Sequence, residues 1–251
     1  MSERLVNLDK DQYGELLRCV SILKDECNDA DIRNGVIRQR SNEKISVFEI
    51  DLSNIISDIN IPITDLKRKI DLLKIFEGGE VTITIDETTN PASFSFSDEY
   101  SSLKFLFTRL DFMDNKYLTE EELQASFILD ESDVILNTSI PKNISDRIRI
   151  VCQSFSINSI QILLEEGTAS LVAKTQSKDQ FAKFYSGIVV DRPMTAFANI
   201  VAIPFMIDHD TDVSFKMYNV RGNIIVNKFT TSIMNTGITI YTRGSLVTED
   251  E

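Results

Sequence analysis

A single histidine, His209, three cysteines and no catalytic signature mark this 251-residue chain. With one imidazole available there is little scope for a nucleophile paired to a histidine base. No Walker, Rossmann or nucleophile-elbow pattern occurs either, and Gly78-Gly79 is too short a run to cradle a phosphate. Cys19, Cys27 and Cys152 are odd in number, widely spaced and set in apolar-patterned segments, which predicts reduced core thiols and neither a disulfide framework nor a zinc site. Apolar runs of membrane-spanning length are missing too. The opening MSERLVNLDK lacks the apolar core of a secretion signal, so a cytoplasmic location is expected.

The one local cluster that invites a metal is DHDTD at 208–212, where carboxylates alternate around His209. A calcium loop of the EF-hand kind wants Gly at its sixth position and Glu at its twelfth, but counting from Asp208 gives Val213 and Asn219. A polar turn accounts for it better. Glu165 and Glu166 are adjacent at an expected hairpin tip and need no acid/base role. The expectation is a protein with no catalytic residues, no bound metal and no cofactor.

What is present is charge of one sign. The formal net charge is −13, from 39 acidic and 26 basic residues, in a composition that is 42% hydrophobic and otherwise that of a globular protein. The length suits two domains of ordinary size. So negative a chain cannot be coated with nucleic-acid-binding surface, because phosphate repulsion would oppose approach, although a local basic strip is still allowed. Such a strip exists. PITDLKRKIDLLKIF at 62–76 gathers Lys67, Arg68, Lys69 and Lys74 against Asp65 and Asp71 only.

The pattern along the chain is written twice. The first half reads as a strand at 3–8, a helix from Asp9 to Lys24 with Tyr13, Leu16, Leu17, Val20 and Leu23 on one face, short strands around the Asn34-Gly35 turn, and a strand at 45–52. A second helix follows, capped near Thr64, running to Phe76 and stopped by Gly78-Gly79, then EVTITID, ASFSFSD and SLKFLFTRL as strands. Residues 111–124 are polar, acidic and aperiodic, and read as a connector. In the second half ASFILDES reads as a strand, PKNISDRIRIVCQSF as a helix with Ile144, Ile148, Val151 and Phe155 in one stripe, and the segment around Gly167 as a hairpin. QFAKFYSGIVVD is extended, PMTAFANIVAIPFM reads as a fourth, apolar helix, from Thr195 to Met206, that Pro204 should end or kink, and three strands close the chain. Corresponding helices lie roughly 130 residues apart, so two domains of one architecture are expected, 1–111 and 125–251, joined by a connector at 112–124.

In each half the helices must cover a sheet. Leu66, Ile70 and Leu73 then point inward on the second helix, while Lys67, Arg68 and Lys74 lie on the other side. Lys142 and Arg149 are placed opposite the apolar stripe of the third helix, and Arg18 opposite Tyr13 on the first. Solvated helix surface explains any one of these, but its recurrence in an acidic chain asks for more.

This twofold helix and sheet repeat resembles the sliding DNA clamps, the processivity factors of replicative polymerases. The likeness is nearest to the clamps of tailed phages and more distant to the proliferating cell nuclear antigen family. The stretches that carry it are DIRNGVIRQRS with ISVFEIDLS, INIPITDLKRKIDLLKIF with EVTITI, SFSINSIQILLEEGTASLVAKTQ, and AFANIVAIPFMIDHDTDVSFKMYNVRGNIIVNKF. The resemblance implies an α+β fold of two clamp domains, helices lining a hole and antiparallel sheets forming the rim, with three chains completing a ring around duplex DNA. It implies Arg18, Lys67, Arg68, Lys74, Lys142 and Arg149 as sequence-independent DNA contacts. It further implies a protomer joint near Phe105, Phe107, Gln180 and Phe184, and a partner pocket near Leu123, Tyr241, Leu246 and Val247. Partners implied are a DNA polymerase, an ATP-driven clamp loader and transcription factors, in an infected bacterial host if the gene is a phage's. The fourth helix, with no basic residue, departs from the pattern. A β-rich structural protein of a viral particle is the competing reading, and a metal enzyme built on residues 208–212 a third.

Overall fold

A computed structural model describes residues 3–88, 91–107, 117–127, 129–165, 168–174, 181–189, 196–221 and 223–248 of the chain. It divides into two compact units, one formed by residues 1–119 with 233–238 and the other by 120–232 with 239–251.

The first unit runs β1 (Glu3–Leu8), α1 (Lys10–Ser21), β2 (Ala30–Arg33), β3 (Val36–Arg40), β4 (Ser46–Asp51), β5 (Asn60–Ile63), α2 (Leu66–Leu73), β6 (Val81–Asp86), β7 (Ser93–Ser97) and β8 (Ser102–Leu106). α1 begins where the sequence dictates. The Asp9 carboxylate accepts from the Gln12 backbone N–H at 2.8 Å while the Gln12 amide oxygen accepts from the Asp9 N–H at 3.1 Å, a reciprocal capping box. Tyr13, Leu16, Leu17, Val20 and the following Leu23 are buried as their spacing requires. Asn34 and Gly35 both take positive φ, 50° and 76°, and close the β2–β3 hairpin.

α2 is shorter than its sequence pattern implies. It is eight residues long and passes into a 3-10 turn over Lys74–Phe76 before Gly78, at φ 91°, ends it. The expected cap at Thr64 does not form: Asp65 precedes the helix in the left-handed region, and the carbonyl of Thr64 instead receives the Lys69 ammonium at 2.6 Å. The segment INIPI, to which the sequence pattern assigns no strand, contains β5, paired to β2 from Ala30↔Ile63 to Arg33↔Asn60.

The second unit runs α3 (Glu120–Ser126), β9 (Val134–Ile140), α4 (Lys142–Phe155), β10 (Ser159–Glu165), β11 (Thr168–Lys174), β12 (Phe181–Val189), β13 (Ala196–Val201), α5 (Ile203–Met206), β14 (Val213–Arg221), β15 (Ile224–Ile233) and β16 (Thr236–Thr248). Two expectations fail here. The stretch from Ala125, read as a strand, opens in the helix α3, which carries three consecutive glutamates in its first turn, and the strand comes later as β9. Strong helix formers and the four-residue spacing of Leu123 and Phe127 outweigh the β-branched residues that follow. The fourth helix is also wrong. Residues 196–201 form a strand with alternating burial, and only one helical turn remains, with Pro204 in its first turn, where a missing N–H costs nothing. A short apolar run cannot be assigned by period alone, and the alternation of AFANIV decides for strand.

Setting α3 aside, both units read β, α, four strands, α, three strands. The pairings repeat too. β2 pairs β3 and β5, and β3 pairs β4; β10 pairs β11 and β13, and β11 pairs β12. β1-β6-β7-β8 in the first unit corresponds to β9-β14-β15-β16 in the second. β8 terminates the first of these sheets, and β12 terminates its own. The two cores are separately aromatic: Tyr13 packs edge-on against Phe76 and Phe96, and Phe229 stacks on Phe215 with centroids 4.6 Å apart while meeting Phe205 edge-on.

Candidate nucleic-acid interface

The exposed faces of α1, α2 and α4 decide what the protein can offer to a polyanion. On α2, Leu66, Ile70 and Leu73 are buried, so Lys67, Arg68, Asp71, Leu72 and Lys74 look outward. Lys67 is exposed, yet its ammonium lies 2.7 Å from Asp25. Lys74 is 2.8 Å from Asp71, one turn earlier, and Arg68 is 3.9 Å from Asp65. Two of these pairs shift the pKa of one member. The hydrogen bond from Lys67 to Asp25 raises the pKa of the lysine, and that from Lys74 lowers the pKa of Asp71. Exposed pairs of this kind are exchangeable: a phosphate arriving at Lys67 would replace a carboxylate that holds it weakly.

Lys69 behaves differently. It is half-buried, donates to Thr64 and lies 5.7 Å from the ring of Phe105, and burial lowers its pKa. On α1, Arg18 is half-exposed on the outward side that it shares with Asp11 and Gly14, while six of the helix's twelve residues are buried.

α4 corrects the sequence reading. The buried positions are Ser145, Ile148 and Cys152. Lys142 and Arg149 therefore sit on the shoulder of the helix and not opposite its core face. Both are neutralised: Lys142 by Asp146 at 3.0 Å, and Arg149 by Asp146 at 3.0 Å and Asp208 at 2.7 Å. Arg149 is the clamp that ties α4 to the loop before β14, its side chain only 23% exposed. The face opposite the core carries Asn143, Arg147, Ile150 and Ser154 instead. Arg147 is exposed and forms no ion pair among the described residues, which the helical wheel could have shown had the stripe been centred on Ser145 and Cys152. Phe155, placed in the apolar stripe by its spacing, is 45% exposed, and Ile150 is 60% exposed.

The loop at 208–212 is structural. Asp208 holds Arg149, Asp212 accepts from the Lys142 N–H at 2.9 Å and so caps α4, and His209 is buried between Ser145 and Thr211. Among the described residues no group of His, Cys, Asp or Glu could hold a metal ion, and no helix is long and apolar enough to cross a membrane. All three cysteines are buried free thiols.

The residues expected at a protomer joint are divided. Phe105 and Phe107, half-buried on and just after β8, pack on Phe94 of the neighbouring strand with centroids 5.3 and 5.8 Å apart, so they serve the unit's own core. Leu106 faces the other way and is 57% exposed. The backbone of Phe184 lies in β12, in register with Leu171, and Gln180 falls outside the described residues.

The residues expected to form a partner pocket all belong to the second unit, and none of them is exposed. Leu123, Tyr241 and Leu246 are buried and Val247 half-buried. Phe127, which the sequence reading missed, stacks on Tyr241 with centroids 5.1 Å apart. The Arg243 guanidinium lies 5.5 Å from the Phe127 ring and donates to the Ser126 carbonyl at 3.1 Å. Val247 and Leu246 pair with Phe197 and Ala198 of β13.

Two units of one repeated topology, each with helices packed on antiparallel strands, define the fold of the sliding DNA clamps. Solved structures of that class match the chain nearly end to end. Proliferating cellular nuclear antigen from Entamoeba histolytica superposes with a TM-score of 0.65 at 10% identity, over 96% of this chain and 98% of that one. A chain of the PCNA2-PCNA3 complex from Sulfolobus tokodaii gives 0.63 at 11% identity, over 99% and 100%. At such identity the likeness is one of fold. No described protein family and no curated protein matches the sequence.

Proposed function

We propose that the chain is a sliding clamp: three copies close into a ring of six units around duplex DNA, and the ring tethers a DNA polymerase for processive synthesis. The observation that carries this reading is the strand-for-strand internal repeat, in a chain matched over nearly its whole length by clamp structures. A fold alone does not fix a function, but the charge distribution agrees. In a chain of net charge −13, Lys67, Arg68 and Arg147 project from exposed helix faces where a phosphate could replace their carboxylate partners or meet them unpaired. Contacts of that kind read no bases and let a ring move along any sequence.

Ring closure is assigned to β8 of one copy and β12 of the next, two strands that terminate their sheets and whose free edges would otherwise invite uncontrolled pairing. Polymerase docking is assigned to the slot around Tyr241, Leu246 and Val247. Opening by an ATP-driven loader, transcription factors as further users of the slot, and a phage origin belong to the same reading. The chain itself does no chemistry in it. The test is retention on circular against linear DNA: a topological link survives on the closed circle and is lost from free ends. Equal retention on both would remove the reading.

A further inference from the structure

On its Tyr241 side the slot assigned to docking is covered by the protein's own chain. Of residues 120–127 only Leu123 and Phe127 are buried, four positions apart and therefore on one side of α3. Phe127 stacks on Tyr241, and the Phe127 N–H closes the helical turn onto the Leu123 carbonyl at 3.0 Å. Arg243 holds the end of the helix by its backbone and lies close to the aromatic ring. A seven-residue helix has no stability of its own in water. Leu123, Phe127 and Arg243 contribute to its order.

Charge of both signs borders the contact. Lys228 lies 5.7 Å from the Tyr241 ring and Arg243 stands beside Phe127, giving the rim two cations. α3 presents Glu120, Glu121 and Glu122 just before its first anchor. An amphipathic helix laid in a groove by anchors one turn apart is a common mode of peptide recognition, and here the ligand is tethered to its receptor.

We propose that α3 is an internal competitor: Leu123 and Phe127 occupy the docking slot in the unengaged protein, and a partner enters by displacing them. The proposal rests on the docking role given above to Tyr241 and its neighbours. The displacing ligand is an acidic peptide with an aliphatic and an aromatic anchor four residues apart, the pattern of α3 itself. Tethering makes the resting slot unavailable for most of the time, so the apparent affinity for an external peptide falls by the fraction of molecules in which α3 is undocked.

The experiment uses the full chain and neither DNA nor polymerase, so its result stands apart from that of the circular-DNA assay. Hydrogen exchange on the unmodified protein should show the amides of residues 120–127 opening locally, well before those of β14, β15 and β16. Exchange of all these segments together, in one global event, would overturn the proposal. In a second arm, a labelled synthetic peptide of residues 118–129 is titrated by fluorescence anisotropy. Binding to the Leu123→Ala, Phe127→Ala double variant should be at least about 10-fold tighter than to the parent, the factor expected when α3 is docked about nine-tenths of the time. Equal binding to both proteins, or binding to neither, counts against an internal competitor.

Discussion

In the second unit the imidazole Nε2 of His209 and the hydroxyl of Ser145 lie 2.8 Å apart, both side chains sealed from solvent. His209 Nδ1 is 2.7 Å from the Thr211 carbonyl, so Nδ1 carries the proton and Nε2 accepts from Ser145. The pair pins α4 to the loop before β14. Burial is the main reason the His209 pKa is lowered, with Lys142 and Arg149 acting in the same direction against the Thr211 carbonyl and Asp146.

A group whose folded pKa is depressed and whose charged form is the cation stabilises the fold above its unfolded pKa and loses that contribution as pH falls through it. The loss should begin near pH ~6.5, the ordinary value for histidine. Urea unfolding of the parent should therefore show stability falling between about pH 7 and about pH 5.5 more steeply than in His209→Gln, whose amide can keep both hydrogen bonds. Parallel losses in the two proteins would assign the acid sensitivity to carboxylates.

The two arginines of α4 should separate by role. Arg147→Ala removes an exposed side chain and should leave stability within about 0.5 kcal/mol while weakening DNA association. Arg149→Ala strips partners from Asp146 and Asp208 and should lower stability by about 1 kcal/mol. Thermal unfolding paired with a DNA-binding titration distinguishes them. If Arg149 is the one that matters for DNA and not for folding, the assignment of the outer face of α4 is wrong.

The carboxylate partners on the α2 face lead to an unusual expectation. Asp25→Asn and Asp71→Asn release Lys67 and Lys74 from their ion pairs, so each variant should bind DNA more tightly at low salt and with a steeper salt dependence. Lys67→Ala, Arg68→Ala and Lys74→Ala together should flatten the same dependence, since each phosphate contact contributes about 0.9 to the slope for duplex DNA. Salt slopes identical across parent, asparagine and alanine proteins would show that α2 faces something other than DNA.

Charge at Leu106 should disperse the proposed ring without unfolding its subunits. Leu106→Asp places a carboxylate at an exposed position of β8, whereas the same change at Phe107 would also damage its packing on Phe94. Sedimentation at micromolar protein should show monomers for Leu106→Asp beside trimers for the parent. Trimers in both would move the joint elsewhere.

Gly35 should tolerate nothing larger. It holds φ 76° in the β2–β3 turn, and a Cβ there would collide with the Ile56 carbonyl oxygen and stand 2.9 Å from Ser53 Cα. Gly35→Ala should cost more than about 1 kcal/mol, the usual limit of a glycine effect without a clash, and show as a lower unfolding midpoint in the isolated protein.

The repeat was legible because amphipathic helices and alternating strands write strong periods, as at Tyr13, Leu16, Leu17 and Val20 or in the VTITI stretch of β6. The fourth helix was not. Its AFANIV segment is short and apolar, and strand or helix there is decided by pairing with β10 and β16, partners remote in sequence. The basic faces were half legible. Periodicity located Lys67 and Arg68 on the outside, but that Arg149 is committed to Asp208 depends on a loop 59 residues away. The stacking of Phe127 on Tyr241 was not legible, because Phe127 lay in a stretch read as a strand.

The shrinkage of α5 to a single turn has a consequence for motion. Where the first unit presents an eight-residue helix bearing Lys67, Arg68 and Lys74, the second has Ile203, Pro204, Phe205 and Met206 at the corresponding place in its element order. In the proposed ring of three chains the attraction felt by a duplex would thus be strongest at the three copies of α2, with Arg147 of α4 the lesser contribution between them. Drag on a duplex moving through such a ring would then be set by three strong barriers and not by six equal ones.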